Sequence, residues 1–203
     1  STVEDILNHY SKGTLFDIAM DEDCLISHGG QLTWMDAKVG DMEITPRKGK
    51  ACEINALWYN ALKYAEFMGE KLGKDTAGFS SIAETAKSNF IEKFWNEEKN
   101  CLYDTIPGPM NGSEEKDASF RPNQIFAVSL PFTMLSRKME KSIVDVVTNE
   151  LLTPYGLRTL SPSDSNYMGN YQGDTLHRDR AYHNGTVWPW LLGPYITAYM
   201  KIN

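Results

Sequence analysis

A carboxylate that directly follows two apolar side chains is the first feature of this sequence that could do chemistry. Asp36 comes after Trp34 and Met35 in the stretch HGGQLTWMDAKVGD. A carboxyl group held away from water by such neighbours has its ionised form disfavoured, so its pKa rises and it can carry a proton near neutral pH. A general acid needs this property. The alternative interpretation is an aspartate that only caps a turn or a helix.

Glu53 and the stretch RPNQ carry a similar ambiguity. Glu53 lies in the first turn of a predicted helix, where the helix dipole favours a carboxylate whatever else it binds. Arg121, Asn123 and Gln124 precede an apolar segment, and Pro122 between them is typical of a first helical position. Three hydrogen-bonding side chains are nevertheless more than a helix start requires.

The stretch GDTLHRDRAYHNGTVWPWLLGPY places polar groups beside flat aromatic rings. His183 and Asn184 can bond hydroxyl groups, and Trp188 and Trp190 offer apolar faces. Sugar rings use both kinds of contact. In the alternative interpretation the two tryptophans fill the core, while the charged residues of 174–180 form a surface ion network. These residues alone leave both interpretations open.

Motifs for several other chemistries are missing from the sequence. It has no G-x-x-x-x-G-K-[ST], no G-x-G-x-x-G and no H-E-x-x-H. Its 4 histidines are far apart, so a zinc site could form only by tertiary assembly. We therefore expect no metal and no cofactor.

Composition limits the class of protein and its partners. The 203 residues, 41% hydrophobic and 23% charged, predict one soluble globular domain spanning 1–203. A net charge of −7 with scattered lysines and arginines argues against nucleic acid as a partner. No apolar run is long enough for a membrane span. Three widely spaced cysteines and the absence of a secretory pattern at the start favour the cytoplasm.

Helical hairpins dominate the predicted architecture. Apolar residues recur every three or four positions in the two halves of 51–98, which predicts two paired helices that meet near Gly73. The same reasoning predicts further helices at Val3–Tyr10, Arg121–Leu135 and Lys138–Leu152. A last helix is predicted at Thr186–Met200, with an interruption at the Gly-Pro pair within it.

Long polar or glycine-rich loops are predicted between these helices, at Phe16–Lys50, Asn100–Phe120 and Thr153–Asn184. The segments TLFDIA and NCLYDT could each add a brief strand. Loops of this length are uncommon unless they have a function, and these hold most of the candidate residues. The prediction is a mainly α scaffold that carries functional loops at one end.

Four stretches resemble, in order, the C-terminal catalytic domain of glycogen debranching enzymes, the amylo-α-1,6-glucosidase part. They are GGQLTWMDAKVGDMEITPRKGKACEINALWYNALKYAE, RPNQIFAVSLPF, YGLRTLSPSDSNYMGNYQGD and RAYHNGTVWPWLLGPY, and the likeness runs from about Leu25 to Tyr199. The resemblance implies an (α/α)6 barrel, of which this chain would hold the central part. It also implies inverting hydrolysis of the α-1,6-linked glucose at glycogen branch points, with glycogen or a limit dextrin as the partner and without a cofactor.

The resemblance also assigns residues. The aspartate of the T-W-M-D motif, the family's general acid, falls on Asp36. Matching motif positions imply that the glucose pocket is lined by Trp34, Arg47, Glu53, Asn55, Arg121, Asn123, Gln124, His183, Asn184 and Trp188.

The second carboxylate of the reaction is missing from the matched motifs. Inverting hydrolysis needs a general base about 6.5–9.5 Å from the acid. In the family this base is a glutamate in a motif of the S-E-I-F-D kind downstream of TVWPW, and the sequence contains no such motif. We therefore expect very low or no hydrolysis by this chain alone. An incomplete barrel would also leave helix faces uncovered, so self-association is expected.

Two other functions remain open at this point. One is a different helical-barrel glycosidase, similar to glucoamylases or trehalases. The other is a saccharide-binding or scaffold module without catalysis. Substrate profiling separates the glycosidases from one another, and the substitution Asp36→Asn separates catalysis from binding, because loss of an acid lowers the rate at saturation.

Overall fold

The computed structural model describes residues 2–109 and 115–203, and about half of the chain is helical. The α-helices are α1 (Thr2–Lys12), α2 (Cys52–Lys71), α3 (Ala77–Phe94), α4 (Phe126–Ser129), α5 (Arg137–Leu151), α6 (Thr175–Tyr182) and α7 (Leu192–Ile202). Short 3-10 turns lie at Leu15–Asp17, Pro122–Ile125 and Pro189–Leu191. The first turn replaces the brief strand predicted in TLFDIA, of which only Ala19 lies in a strand.

The segments between these helices contain very short strands, which pair with one another in antiparallel fashion. They are β1 (Ala19–Met20), β2 (Ile26–Ser27), β3 (Lys38–Val39), β4 (Met42–Glu43), β5 (Lys50–Ala51), β6 (Trp95–Asn96), β7 (Cys101–Leu102), β8 (Thr105–Ile106), β9 (Leu152–Thr153), β10 (Gly156–Arg158) and β11 (Val187–Trp188). The pairs are β1 with β2, β3 with β4, β5 with β8 and β6 with β7, and β10 lies between β9 and β11. The predicted long loops therefore have more order than their composition indicates.

The predicted helical pair in 51–98 is confirmed as α2 and α3, which pack against each other. The buried side of α3 carries Phe90 and Phe94, and α2 contributes Leu62 to the same core. Gly69 allows the close approach at the end of the hairpin, because a Cβ there would meet Cγ2 of Thr76 at 2.1 Å. The apolar stripes that predicted these helices are thus the faces that they bury.

The predictions for the other helices have mixed outcomes. The helices predicted at Val3–Tyr10 and Lys138–Leu152 are confirmed by α1 and α5. The helix predicted at Arg121–Leu135 is wrong, because only a 3-10 turn and the four-residue α4 form there. Leu130 adopts an extended conformation (φ −66°, ψ 152°) before Pro131, which disfavours helical geometry in the residue that precedes it.

The C-terminal segment also differs from the prediction. The helix begins at Leu192, and the predicted interruption at Gly193-Pro194 is absent. Pro194 lies in the first turn, where a backbone N–H has no intrahelical partner to lose. Part of the predicted loop Thr153–Asn184 is in fact α6, whose N-cap Asp174 accepts a hydrogen bond from the backbone N–H of His177.

A shared hydrophobic core joins α2, α3, α5 and α7, with Leu62, Phe90, Val147 and Ala198 among its buried members. The helices of residues 2–109 and 115–203 do not close into a ring, so the (α/α)6 barrel remains a prediction beside a mainly α fold. Within the described part of the chain, no helix has both the length and the apolar character needed to cross a membrane.

Candidate active site

An arginine shared by two carboxylates forms the centre of the candidate site. The Nη1 and Nη2 atoms of Arg47 donate to Oε1 and Oε2 of Glu53 at 2.6 and 2.7 Å. Its Nε and Nη2 donate to Oδ2 and Oδ1 of Asp104 at 2.6 and 3.0 Å. All three side chains are buried. Burial alone would lower the pKa of the Arg47 guanidinium, but Asp104 and Glu53 outweigh it and raise that pKa well above its usual value.

Three separate segments supply this ion network. Glu53 stands in the first turn of α2, and Asp104 lies between β7 and β8. Arg47 lies in the loop before β5 and has φ of 29°, a conformation that non-glycine residues seldom adopt. The paired hydrogen bonds to both carboxylates hold the arginine there.

A second set of hydrogen bonds connects the network to Trp34. Nδ2 of Asn123 donates to Oδ1 of Asp104 at 2.8 Å, and the indole Nε1 of Trp34 donates to Oδ1 of Asn123 at 2.8 Å. Nδ2 of Asn123 also lies 3.5 Å from Sδ of Met35, which is fully buried. Trp34 is thereby joined to Arg47 through two intervening side chains.

Arg121 connects the same region to the turn that follows α6. Its Nη1 donates to the backbone carbonyls of His183 and Thr159 at 2.6 and 3.1 Å, and its Nη2 donates to Oδ1 of Asn184 at 3.0 Å. Its Nε lies 3.8 Å from Oδ2 of Asp104. Burial lowers the pKa of Arg121 although Asp104 opposes the effect. The turn at 183–184 is thus fixed by a buried cation.

Aromatic rings from distant parts of the chain surround Trp34. Its ring centroid lies 5.3 Å from that of His183, 5.0 Å from that of Trp190 and 6.4 Å from that of Trp188, each in an edge-on arrangement. The indole Nε1 of Trp188 donates to the carbonyl of Tyr182 at 3.1 Å. These five residues, Trp34, Tyr182, His183, Trp188 and Trp190, form what we call the aromatic cluster. Trp190 remains 46% exposed.

His183 is a neutral imidazole within the aromatic cluster at physiological pH. Burial, followed by the nearby charges of Arg121 and Arg47, lowers its pKa from 6.5 to about 4. Its Nδ1 is buried and has no hydrogen-bond partner among residues 2–109 and 115–203. A buried nitrogen without a partner is unusual in proteins and is available to a ligand that reaches it.

A large cavity opens beside Arg121 and Asn184. Its volume is about 1190 Å³, and its walls come mainly from residues 42–48, 115–121 and 163–168. Among the predicted site residues it is lined by Arg47, Arg121 and Asn184.

The family can be named from comparison with known sequences. A family model described as Amylo-alpha-1,6-glucosidase matches residues 1–203, the whole chain. The chain belongs to the amylo-alpha-1,6-glucosidase family. It is also similar to the glycogen debranching enzyme of Saccharomyces cerevisiae, with 26% identity over 230 residues that cover 93% of this chain. The chain spans 15% of the length of that relative.

The structure brings together most of the residues that the resemblance to this family assigns to the glucose pocket. Contacts around the ion network and the aromatic cluster join Trp34, Arg47, Glu53, Arg121, Asn123, His183, Asn184 and Trp188. The three segments that carry them, 34–53, 121–123 and 183–188, lie far apart in the sequence, so the contacts between these segments could not follow from any local pattern.

Asp36 differs from the prediction in one important respect. Its side chain is exposed to solvent, so the prediction that it lies in a partly dry pocket is wrong for this chain. Trp34 and Met35 are anchored by Asn123, whereas Asp36 is exposed between the buried residues Met35 and Ala37. Its backbone carbonyl accepts a hydrogen bond from Nε2 of Gln31 at 3.2 Å. The assignment of an acid role to Asp36 therefore depends on its family motif and on its neighbours in the chain.

Asn55 and Gln124 use their amide groups on the backbone of the protein. Asn55 exchanges hydrogen bonds with the N–H and carbonyl of Ile26, at 2.7 and 3.1 Å, and also donates to the carbonyl of Ala51. Gln124 accepts from the N–H of Leu102 at 3.2 Å and donates to the carbonyl of Arg121 at 3.3 Å. These contacts stabilise the loops and strands around the site.

Charged residues of 174–180 partly fit the surface interpretation. Asp174 accepts a hydrogen bond from Nδ1 of His177 at 2.7 Å on the exposed side of α6, and Arg178 donates to the carbonyl of Gly173. The alternative for the tryptophans, complete burial in the core, does not hold for Trp190.

Sequence reasoning missed Asp104, the carboxylate that contacts Arg47, Asn123 and Arg121. The segment NCLYDT gave no chemical signal, because only tertiary folding brings Asp104 to the arginines. The strand predicted in that segment is present as β7, and a lone charge two residues after this strand is the one feature that could have drawn attention to Asp104.

Cys52, Glu53 and Asp104 have ligand atoms within 4.8 Å of one another, as a metal site requires. Arg47 already bonds both carboxylates. Burial, followed by the charges of Glu53 and Asp104, raises the pKa of the Cys52 thiol well above its usual value. The guanidinium of Arg47 is thus the cation that these carboxylates bind. A metal ion at this place would need Cys52 as a thiolate, and the raised pKa of Cys52 disfavours the thiolate.

Proposed function

We propose that this chain provides the acid-bearing part of an inverting α-1,6-glucosidase that removes the glucose left at glycogen branch points. The observation that carries the proposal is the convergence of Trp34, Asn123, His183 and Trp188 around one position, directly beside the segment that bears Asp36. These residues come from three separate family motifs.

The aromatic cluster suits a glucose ring. The indole N–H groups of Trp34 and Trp188 are bonded within the protein, so the rings offer mainly apolar surface. The C–H face of a sugar packs on such surface, while hydroxyl groups need polar partners. His183, neutral and with a free Nδ1, can accept a hydrogen bond from a hydroxyl group. Trp190 offers an exposed ring beside Trp34 for a neighbouring glucose unit.

The neighbouring cavity has room for the rest of the glucan. Its volume of about 1190 Å³ lies above the ~300–1,000 Å³ that accommodates a drug-sized ligand. Asn184 lines this cavity, and the preceding residue, His183, belongs to the aromatic cluster. In the proposed arrangement a branched oligosaccharide places its terminal glucose at the aromatic cluster and its main chain in the cavity, with Asn184 between the two.

Asp36 gives its proton to the glycosidic oxygen of the departing chain. Its side chain is exposed in the free protein, so the bound saccharide itself must remove water from around the carboxyl group. With the saccharide bound in this way, the carboxyl group of Asp36 approaches the leaving oxygen from the side on which Trp34 lies.

Water attacks the opposite face of the sugar with help from a second carboxylate. Glu53 and Asp104 are committed to Arg47 by two hydrogen bonds each. We therefore propose a different carboxylate as the base, and expect that this chain alone hydrolyses its substrate very slowly or not at all. The three cysteines, Cys24, Cys52 and Cys101, are free thiols, in keeping with a cytoplasmic location as part of the proposal.

Glucose release from a limit dextrin tests the proposal in the natural polypeptide that carries these residues. The substrate should present single α-1,6-linked glucose stubs, with maltose and trehalose as competing substrates. Asp36→Asn is expected to lower kcat at least about 100-fold. The matched control Asp145→Asn, an exposed aspartate on α5, is expected to leave kcat unchanged.

Faster hydrolysis of maltose or trehalose than of the α-1,6 stub would favour a glucoamylase-like or trehalase-like enzyme instead. If Asp36→Asn weakens saccharide binding and leaves kcat intact, Asp36 is only a ligand contact and the acid assignment is wrong.

A further inference from the structure

A buried carboxylate controls how Trp34 is held. Trp34, Asn123, Asp104 and Arg47 form one continuous series of hydrogen bonds, and each bond in it is between 2.6 and 3.0 Å. Asn123 is fully buried and Asp104 nearly so. The exposed Asp36 follows Trp34 by two positions.

The direction of the Asn123 amide depends on the charge of Asp104. An amide has one end that donates and one that accepts, whereas an ionised carboxylate only accepts. Asp104 therefore requires the Nδ2 end of Asn123, which leaves Oδ1 for the indole N–H of Trp34. If the amide were reversed, Nδ2 would face the indole N–H, and two donors would meet without an acceptor.

Two arginines face the carboxylate of Asp104. Arg47 donates two hydrogen bonds to its carboxylate, and Nε of Arg121 lies 3.8 Å from Oδ2. Together with Glu53, this cluster contains two positive and two negative side chains, all of them buried.

We propose that Asp104 is a positioning residue, which through the amide of Asn123 fixes the indole of Trp34 and with it the segment that carries Asp36. The catalytic consequence of this proposal rests on the function proposed above. Its structural part, the control of Trp34, does not.

Glu53 provides a matched comparison within the same cluster. It bonds the same arginine with two hydrogen bonds and is equally buried, but it has no hydrogen bond to Asn123 or Trp34. Glu53→Gln and Asp104→Asn each remove one negative charge beside Arg47. Only Asp104→Asn frees the Asn123 amide to reverse, because the new side chain can donate as well as accept.

Exchange of the indole N–H hydrogens, followed by ¹⁵N-resolved NMR on this chain, measures the position of Trp34 without any substrate. Trp34→Phe identifies the Trp34 signal. The indole N–H groups of Trp58 and Trp188 donate to the carbonyls of Cys24 and Tyr182, and they serve as internal references. A general loss of stability would speed exchange at all three positions.

Asp104→Asn is expected to speed exchange of the Trp34 indole at least about tenfold relative to Trp58 and Trp188, since it loses its acceptor. Glu53→Gln should leave the ratio between the three indoles unchanged. The proposal is overturned if Asp104→Asn leaves the Trp34 rate unaltered, if all three indoles change together, or if Glu53→Gln has the same selective effect.

Asn123→Leu provides the test if Asp104→Asn does not fold. This variant retains the four charged side chains of the cluster and removes the amide that links Asp104 to Trp34. The exchange rate of the Trp34 indole, relative to those of Trp58 and Trp188, must therefore increase again. Protection of the Trp34 indole in Asn123→Leu would contradict the proposal.

The catalytic consequence is measured separately in the natural polypeptide, where Asp104→Asn should lower kcat for the α-1,6 stub more than Glu53→Gln does. If Asp36→Asn proves to have no effect on kcat, the proposed function fails, while the exchange ratios still decide the role of Asp104.

Discussion

The indole Nε1 of Trp34 donates to Oδ1 of Asn123 at 2.8 Å, although 89 positions separate the two residues. This bond joins the segment that carries Asp36 to the buried ion network through Asp104. The polar interior of the protein therefore stabilises the fold and also sets the geometry of its exposed candidate acid.

Removal of the shared arginine should be costly. Arg47→Met leaves Glu53 and Asp104 buried without their cation, so we expect the free energy of unfolding to fall by about 3–5 kcal/mol. Urea denaturation measures this change. Lys48 provides the control, because it pairs with Glu43 at a partly exposed position, and Lys48→Met should cost at most about 1 kcal/mol. Equal losses in the two variants would contradict the account of the network.

The stability of the protein should fall as the pH falls, because of His183. Its pKa is lowered from 6.5 to about 4 in the folded protein, so between these values the unfolded chain binds the additional proton. The free energy of unfolding contributed by this group is thus fully present above pH 6.5 and is lost as the pH falls towards about 4. The loss is of the order of 3 kcal/mol.

Urea denaturation at a series of pH values, with His183→Gln beside the parent chain, measures this contribution. In His183→Gln the free energy of unfolding should decline less steeply between pH 6.5 and about 4. The control His9→Gln, at an exposed histidine, should show the same slope of unfolding free energy against pH as the parent chain. An unchanged slope in His183→Gln would show that the imidazole is not held neutral by burial.

Asn55 should prove to be structural, in contrast with the exposed Trp190. Asn55→Ala leaves the buried N–H and carbonyl of Ile26 without partners, so we expect a loss of about 1–3 kcal/mol in stability and unchanged affinity for an α-1,6-linked oligosaccharide. Trp190→Ala should weaken that affinity about fivefold, as expected for loss of an aromatic contact. Calorimetric titration of the natural polypeptide measures both affinities. A weaker affinity in the folded Asn55→Ala variant would show that Asn55 contacts the saccharide, and the structural assignment would be wrong.

Self-association is expected through the outer faces of α1 and α2. Val3 and Ile6 of α1 and Leu57, Tyr64 and Met68 of α2 are all exposed, and adjoining apolar patches of this kind favour contact between copies. Sedimentation velocity at several concentrations should reveal species larger than the monomer. Leu57→Glu with Met68→Lys should reduce them, whereas Tyr155→Ser, at an exposed tyrosine elsewhere, should not. A monomer at all concentrations would contradict this prediction.

The sequence allowed prediction of those features that depend on local periodicity. The apolar stripes of α2 and α3 identified both helices, because each stripe becomes a buried face. α6 has no such stripe, and it was missed because a cap from Asp174 and polar contacts hold it instead. The Leu130-Pro131 pair was a local signal for the end of α4 that the predicted helix Arg121–Leu135 overlooked. Local patterns could not show that Pro194 is harmless in α7, because that depends on where the helix begins.

The candidate site was predictable only as a set of motifs. The family resemblance named Trp34, Asn123 and His183, but their mutual contacts depend on tertiary structure. Asp104 was invisible because its partners lie in other segments. The burial expected for Asp36 was wrong, because apolar neighbours in sequence do not by themselves bury a side chain. Met35 and Ala37 are both buried, and Asp36 between them is exposed.

The acid role of Asp36 is tested most directly by comparing two substrates with different leaving groups in the natural polypeptide. An α-1,6-linked glucose needs a proton on its departing oxygen, whereas α-glucosyl fluoride releases fluoride without one. The account predicts that Asp36→Asn loses at least about 100-fold in kcat on the limit dextrin and less than about fivefold on α-glucosyl fluoride. Equal losses on both substrates, or full activity on the limit dextrin, would contradict it.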